Sequence, residues 1–344
     1  MGYLRRGMPL TGALPERTGD FVLRVGILGC GIHGERYLRH LLRDIDDAKP
    51  TLFYRRDLEA SARIVAEYSV PRAESASALV ESDQVDAVII ATPPGRHLAD
   101  LALALDAGKP VLLEKPAVAR WSEAADLRTL DEPTVMVGQT LRYSPILQRT
   151  YDRMAEIGDV HRIRVAQRLE PSPLQWQRDP QMAGGGSITL TGVHLFDLLR
   201  WFVGRTPDAV ECRMQNLQGH PLENAFDACF EYEAEAILAS TEVSKFSRSR
   251  SALLELVGSD AQLVVDYMRG IAWSVRDTHW TLLEDSGAVP TMVGLLRDFV
   301  RLARGEIESP ISLRDGIENV RMAEACYRSH RLAERVLLND LEES

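Results

Sequence analysis

Between Phe21 and Ile45 the chain runs from an apolar stretch, FVLRVGILG, through Gly29-Cys30-Gly31-Ile32-His33-Gly34 into HGERYLRHLLRDI. The last segment carries Tyr37, Leu38, Leu41, Leu42 and Ile45 at helical spacing. A GxGxxG is a weak signal alone, but a strand before it and a helix after it give it meaning. Gly29 permits the tight turn, Gly31 lets the backbone approach a pyrophosphate, and Gly34 allows close packing of helix on strand. Ile32 and His33 then open a helix whose first N–H groups and dipole favour phosphate. The bland alternative is a βα turn without a ligand; the context favours a dinucleotide site.

The same alternation continues. TLFYRR reads as a strand, Leu58, Ile64 and Val65 mark a helix, and VDAVIIATP is a continuous apolar run of the kind buried on both faces of a parallel sheet. HLADLALALDAG, KPVLLEKP and TVMVGQ add a helix and two strands, and a further helix opens near Ser144-Pro145. Strand–helix alternation of this sort specifies a doubly wound sheet with right-handed crossovers. After about residue 150 the segments become closely spaced, alternating strands such as HRIRVAQRLE and AFDACFEYEAEAILASTEVS, with one strong helix, GVHLFDLLRWFVG, and two more at the end. The expected class is α/β: an N-terminal Rossmann dinucleotide-binding domain, then a C-terminal α+β domain with an open, mostly antiparallel sheet. The expected divisions are a flexible leader over residues 1–20, the dinucleotide-binding domain over 21–143, and a substrate-binding and oligomerisation domain over 144–344.

Composition narrows the classes. At 344 residues the chain is too long for one ordinary core. A net charge of −10 argues against a nucleic-acid partner, whose footprint is basic. No stretch approaches the roughly 18 apolar residues of a membrane span. The four cysteines lie far apart, without disulfide or metal spacing, so neither a metal nor an oxidising compartment is expected. Arg5-Arg6 is followed by no apolar export region, which leaves a cytoplasmic location as the expectation.

Where the second strand ends, an NAD site usually offers an acid to the ribose 2′-hydroxyl. Here stand Arg55 and Arg56, whose guanidiniums suit a 2′-phosphate, so NADP is expected. Asp57 keeps NAD open as the alternative. ATPPGRH (Ala91–His97) and AGKPVLLEKP (Ala107–Pro116) then fall at strand C-terminal ends, where such sheets bind ligands.

With VGQTLRYSP, the GGG…GxHxxDxxRW segment and the closing LRDFVRLARG and RMAEACYRSH helices, these motifs resemble the Gfo/Idh/MocA oxidoreductases over roughly Val22 to Leu338. The resemblance implies that Glu114-Lys115-Pro116 is the family's EKP motif, with Lys115 acting on the substrate oxygen near the nicotinamide. A partly desolvated ammonium is suited to such proton transfer. The resemblance also places Thr92, Pro93, Pro94, His97, Glu114 and Arg142 at the cofactor, His97 being equally readable as a helix N-terminal histidine and Arg142 equally as lining the substrate cleft or as an interdomain contact. Gln139, Tyr143, Trp176, Arg178, Thr191, His194 and Asp197 are expected at the substrate, Trp176 being equally a core aromatic. His194 matches the family histidine, and Asp197, Arg200 and Trp201 the residues after it. Leu190 stands where the family has an aspartate, so either His194 finds another partner to fix its tautomer or the reaction needs less acid–base help.

The expected function is hydride transfer between NADP(H) and a sugar, polyol or related cyclic hydroxy or keto compound, with Lys115 moving the proton and His194 assisting. Two alternatives stay open: a redox-neutral NAD-dependent enzyme on a sugar, and a cofactor-binding regulator without turnover, kept alive by Leu190. The C-terminal sheet is expected to join copies into a homodimer or homotetramer, on the argument that a large apolar face would not stay in water.

Overall fold

The computed structural model describes residues 21–125, 127 and 134–341. The leader expected over residues 1–20 lies outside them. Packing divides the chain into two units. Of the described residues, the first takes those up to Val118, those within 122–138, and 292–317; the second takes 119–121, 139–291 and 318–341.

The first unit is built on β1 (Leu23–Leu28), β2 (Ala48–Tyr54), β3 (Ala87–Ile90), β4 (Val111–Leu113) and β5 (Val135–Val137). They lie in the order β2-β1-β3-β4-β5, every neighbouring pair parallel. The order reverses between β1 and β3, which sets the ligand-binding crevice at their carboxyl ends. Continuous apolar sequence and two-sided burial agree: Ala87, Val88, Ile89 and Ile90 are all fully buried. The unit's first four α-helices are α1 (Ile32–Arg43), α2 (Leu58–Tyr68), α3 (Ala76–Val80) and α4 (His97–Asp106). Asp57 and Ser75 cap α2 and α3, accepting from Ala60 N and Ala78 N, each at 3.0 Å.

Residues 292–317, expected in the second domain, pack with the first unit instead. The helix Met292–Ala303 contacts α1, and Val137 N donates to Ile311 O at 2.9 Å, extending the edge of β5. Arg304 fixes this return, its Nη2 donating to Phe21 O at 2.7 Å and Asp47 O at 3.0 Å. The returning segment thus supplies partners to the edge of β5 and to Phe21 O.

The second unit holds β6 (Val160–Arg168), β7 (Ala209–Gln215), β8 (Ala225–Tyr232), β9 (Ile237–Ser244), β10 (Ser251–Gly258), β11 (Gln262–Asp266), β12 (Ile271–Arg276), β13 (His279–Asp285) and β14 (Val336–Leu337). Their order is β13-β12-β11-β10-β6-β9-β8-β7-β14, antiparallel except for the β6–β9 pair. On one face Ile163, Val165, Phe226, Phe230, Leu254 and Leu256 share a core with Phe196 of the helix Val193–Val203 and with Met322 and Cys326. Phe196 meets Phe230 edge-on, with centroids 5.3 Å apart.

The opposite face is not the bare apolar surface expected. Arg164 Nε pairs with Glu242 Oε1 at 2.8 Å, Arg164 Nη1 approaches Glu255 Oε2 at 3.3 Å, and Arg168 Nη2 meets Glu242 Oε2 at 2.6 Å. Strand alternation puts these charged positions on one side while their neighbours fill the core. Among the described residues, no helix is long and apolar enough to cross a membrane.

Candidate functional site

In the first unit, Gly29 sits at φ 87°, and a Cβ there would come within 2.5 Å of Thr92 N. A Cβ on Gly34 would lie 2.2 Å from Gly29 O, so these two glycines are required by the chain's own packing. A Cβ on Gly31 would meet no atom within 4 Å. The space above Gly31 is therefore open, and the first turn of α1 has no side-chain cap. An open approach over uncapped N–H groups of Ile32, His33 and Gly34 fits a dinucleotide diphosphate.

The turn is tied to β2: Gly29 N donates to Tyr54 O at 2.9 Å, and Arg55 Nη1 donates to Cys30 O at 3.0 Å. Arg55 Nη2 also lies 3.6 Å from Asp57 Oδ2. Asp57 is thus engaged as the cap of α2 and the partner of Arg55, while Arg56 is exposed.

After β3, the expected cofactor residues prove to lock one another. His97 is fully buried, its Nδ1 2.7 Å from Pro116 O and its Nε2 2.8 Å from Thr92 O. Burial lowers the ring's pKa, against the pull of those two carbonyls. Thr92 Oγ1 donates to Asp100 Oδ2 at 2.8 Å, Arg96 Nη2 to Asp100 Oδ1 at 3.0 Å, and Pro94 is buried in the short turn Pro94–Arg96. The helix N-terminal reading of His97 fits these contacts: both ring nitrogens face backbone carbonyls, and the side chain ties the turn after β3 to Pro116 beyond β4. The Thr92 hydroxyl ties the same turn to α4. Pro93 keeps partial exposure at the start of that turn.

At the end of β4, Glu114 is buried and uses both oxygens internally. Oε1 accepts from Tyr37 Oη at 2.7 Å and Oε2 from Lys115 N at 3.1 Å. Glu114, expected at the cofactor, thus orients the Lys115 backbone. Lys115 is partly buried, and its pKa is lowered by desolvation, against the opposing pull of the Glu114 carboxylate. The His33 ring is shifted down chiefly by desolvation, with Glu114 opposing and Lys115 reinforcing the shift.

In the second unit, three glycines precede an irregular helix. A Cβ on Gly184 would lie 2.2 Å from Ala119 O, one on Gly185 2.1 Å from Tyr327 Oη, and one on Gly186 1.9 Å from Glu223 O. No side chain fits at any of the three. Ile188–Gly192 then winds as a π-turn into the helix Val193–Val203, a form common at functional sites. Glu223 secures the turn: its Oε1 accepts from Gly186 N at 2.9 Å, Ile188 N at 3.1 Å and Tyr327 Oη at 2.7 Å, and burial raises its pKa. Leu190 and Thr191 are buried within the turn.

His194 finds the partner that Leu190 denies it. Gln139 is buried, its Nε2 donates to Val193 O at 3.3 Å, and its Oε1 lies 2.8 Å from His194 Nδ1. An amide oxygen can only accept, so Nδ1 carries the proton. Gln139, expected at the substrate, orients His194. Arg142 and Asp197 pair with each other: Arg142 Nε and Nη2 donate to Asp197 Oδ2 and Oδ1, both at 2.7 Å, and Asn319 Nδ2 adds a third bond at 3.0 Å. Asp197 is buried, so the pair braces the second unit. Trp176 is half-buried and Arg178 exposed in the turn Gln175–Arg178, while Tyr143 is partly exposed.

The sequence profile of the oxidoreductase family with an NAD-binding Rossmann fold matches residues 23–138, and that of the GFO/IDH/MocA C-terminal domain matches residues 153–264. The chain belongs to the Gfo/Idh/MocA oxidoreductases. Inositol 2-dehydrogenase 2 of Saccharopolyspora erythraea is 32% identical over 190 residues, which span 53% of this chain and only 54% of that relative. The rhizopine catabolism protein MocA of Rhizobium meliloti is 24% identical over 317 residues, 88% of this chain and 93% of its own. Among solved structures, GenD2 from gentamicin A biosynthesis, in complex with NAD, has a TM-score of 0.81 at 24% identity, over 95% of this chain and 99% of that one. Levoglucosan dehydrogenase, in complex with NADH and levoglucosan, has a TM-score of 0.80 at 19% identity, over 92% and 99%. At such identities the likeness is one of fold. The first unit of this Gfo/Idh/MocA chain carries the family's NAD-binding Rossmann fold.

Proposed function

We propose that the chain is an NADP(H)-preferring oxidoreductase that moves hydride to or from a sugar, polyol or related cyclic hydroxy or keto compound. The observation that carries this reading is Lys115: a partly buried amine at the carboxyl end of β4, its pKa lowered by desolvation and its backbone held by the Glu114 carboxylate. Oxidation of an alcohol removes a hydride from the carbinol carbon and a proton from its hydroxyl. Neutral Lys115 Nζ takes that proton; in reduction the ammonium returns it. The nicotinamide, when bound, supplies the hydride acceptor or donor. The first-turn N–H groups of α1 hold its diphosphate, and the arginines at the end of β2 favour a 2′-phosphate.

His194 assists, with Nδ1 protonated toward Gln139, the tautomer in which Nε2 is an acceptor. Tyr143, Trp176, Arg178 and Thr191 are the remaining substrate candidates, with Trp176 suited to the C–H face of a ring and Arg178 to hydroxyls. The names of the relatives, an inositol dehydrogenase and a levoglucosan dehydrogenase, support polyols and anhydrosugars as the class to screen. We also place a second copy of the chain on the charged face of the nine-stranded sheet.

The test is Lys115→Met. With a substrate found by screening cyclic polyols and keto sugars, kcat should fall by about 100-fold or more while NADPH affinity holds. Turnover near the wild-type rate removes Lys115 from the chemistry.

A further inference from the structure

Three guanidinium groups gather where β2 ends, and they are not equivalent. Arg55 is committed, with Nη1 on Cys30 O at 3.0 Å and Nη2 3.6 Å from Asp57. Arg56 is exposed and makes no ion pair among the described residues. The third, Arg72, arrives from beyond α2. Phe53 N donates to Pro71 O at 3.1 Å and Ala73 N to Phe53 O at 2.8 Å, a parallel bridge that returns Arg72 to the end of the strand. Its Nε donates to Arg55 O at 3.0 Å, and its Cζ lies 5.3 Å from the centroid of the Tyr54 ring.

These contacts fix the Arg72 fork from behind. One nitrogen is on a carbonyl and one face is toward an aromatic ring, while Nη1 and Nη2 have no hydrogen-bond partner among the described residues. A guanidinium held this way is pre-organised for a phosphate, because two parallel N–H groups match two oxygens. Asp57, the carboxylate that could serve a free ribose hydroxyl, is engaged locally: its Oδ1 caps α2 through Ala60 N and its Oδ2 lies 3.6 Å from Arg55 Nη2. We propose that Arg72, together with Arg56, is the reader of the adenosine 2′-phosphate, and that Arg55 is a positioning residue for the glycine turn. The assignment rests on the NADP(H) reading above and refines it.

The two roles separate experimentally. The full chain, stripped of nucleotide, is titrated calorimetrically with NADPH, NADH, adenosine 2′,5′-bisphosphate and adenosine 5′-monophosphate. Arg72→Gln should weaken NADPH and the bisphosphate about tenfold or more, and move NADH and the monophosphate by less than about twofold. Arg72→Lys, which keeps the charge and loses the fork, should recover part of the NADPH loss. Arg55→Gln should weaken NADPH and NADH alike, since both carry the diphosphate that the glycine turn holds. If wild type prefers NADPH and Arg72→Gln leaves the NADPH-to-NADH ratio unchanged, or weakens both equally, Arg72 is only a clamp on Tyr54 and the inference falls while the NADP(H) reading stands. A wild type that binds NADH more tightly removes that reading and the inference with it.

Discussion

At Lys115 two influences oppose each other. Desolvation drives its proton off and the Glu114 carboxylate holds it on, with desolvation prevailing. The consequence is directional. Alcohol oxidation needs the neutral amine, so kcat/KM should rise with pH through a midpoint below the ordinary lysine range. Carbonyl reduction needs the ammonium and should fall through the same midpoint. Glu114→Gln removes the anion yet leaves an oxygen to accept from Tyr37, so both midpoints should move to lower pH by about one unit. Steady-state profiles in the two directions read this; midpoints that stay in place would show that Glu114 does not set the amine. The EKP motif was legible in the sequence at this scale, but the use of both Glu114 oxygens was not. Tyr37 lies 77 positions away, and no local pattern announces a pair that only the sheet assembles.

Among the elements, the π-turn Ile188–Gly192 depends most on a distant group. Its first N–H groups close on Glu223, and the triple glycine before it exists because Ala119 O, Tyr327 Oη and Glu223 O leave no room for a Cβ. Glu223→Ala strands two backbone donors, while Tyr327 Oη keeps Thr189 Oγ1 at 2.9 Å, and should cost about 2–4 kcal/mol in urea denaturation. Glu223→Gln keeps an accepting oxygen without a buried charge. Since burial raises the folded-state pKa of Glu223, the native state holds its proton longer than the unfolded chain, and wild-type stability declines as pH rises through that window. The Gln variant should lack that decline. Parallel pH dependences in the two proteins would place the charge elsewhere. The sequence displayed the glycines and the helix; it hid Glu223, which reads as one more acidic residue in a strand-rich stretch.

For the whole molecule, the open face of the nine-stranded sheet changes the character of the expected association. Arg164, Arg168, Glu242 and Glu255 line it, and Glu242 is held below the usual carboxylate range chiefly by its hydrogen bond from Arg164. A second copy placed there meets charges, so the assembly should weaken as salt rises from about 0.1 to about 1 M and the screening length shrinks from about 10 to about 3 Å. Sedimentation velocity across that range checks it; a monomer throughout overturns the proposed oligomer, and an assembly indifferent to salt overturns its electrostatic face.

Period and punctuation carried the outline. Apolar runs of strand length, helical spacing after Gly34 and strand-end motifs determined a Rossmann unit followed by an antiparallel sheet, because burial imposes those patterns residue by residue along the chain. The departure at Leu190 was visible too, and with it the question of another partner for His194. Tertiary structure alone decided that this partner is Gln139, that Arg142 and Asp197 brace each other, that His97 faces two carbonyls, and that 292–317 returns to the first unit. Each of these is a polar group satisfied by a residue remote in sequence. Hydrogen-bond partners are set by where the backbone brings them, and such pairings leave no periodic trace in the sequence.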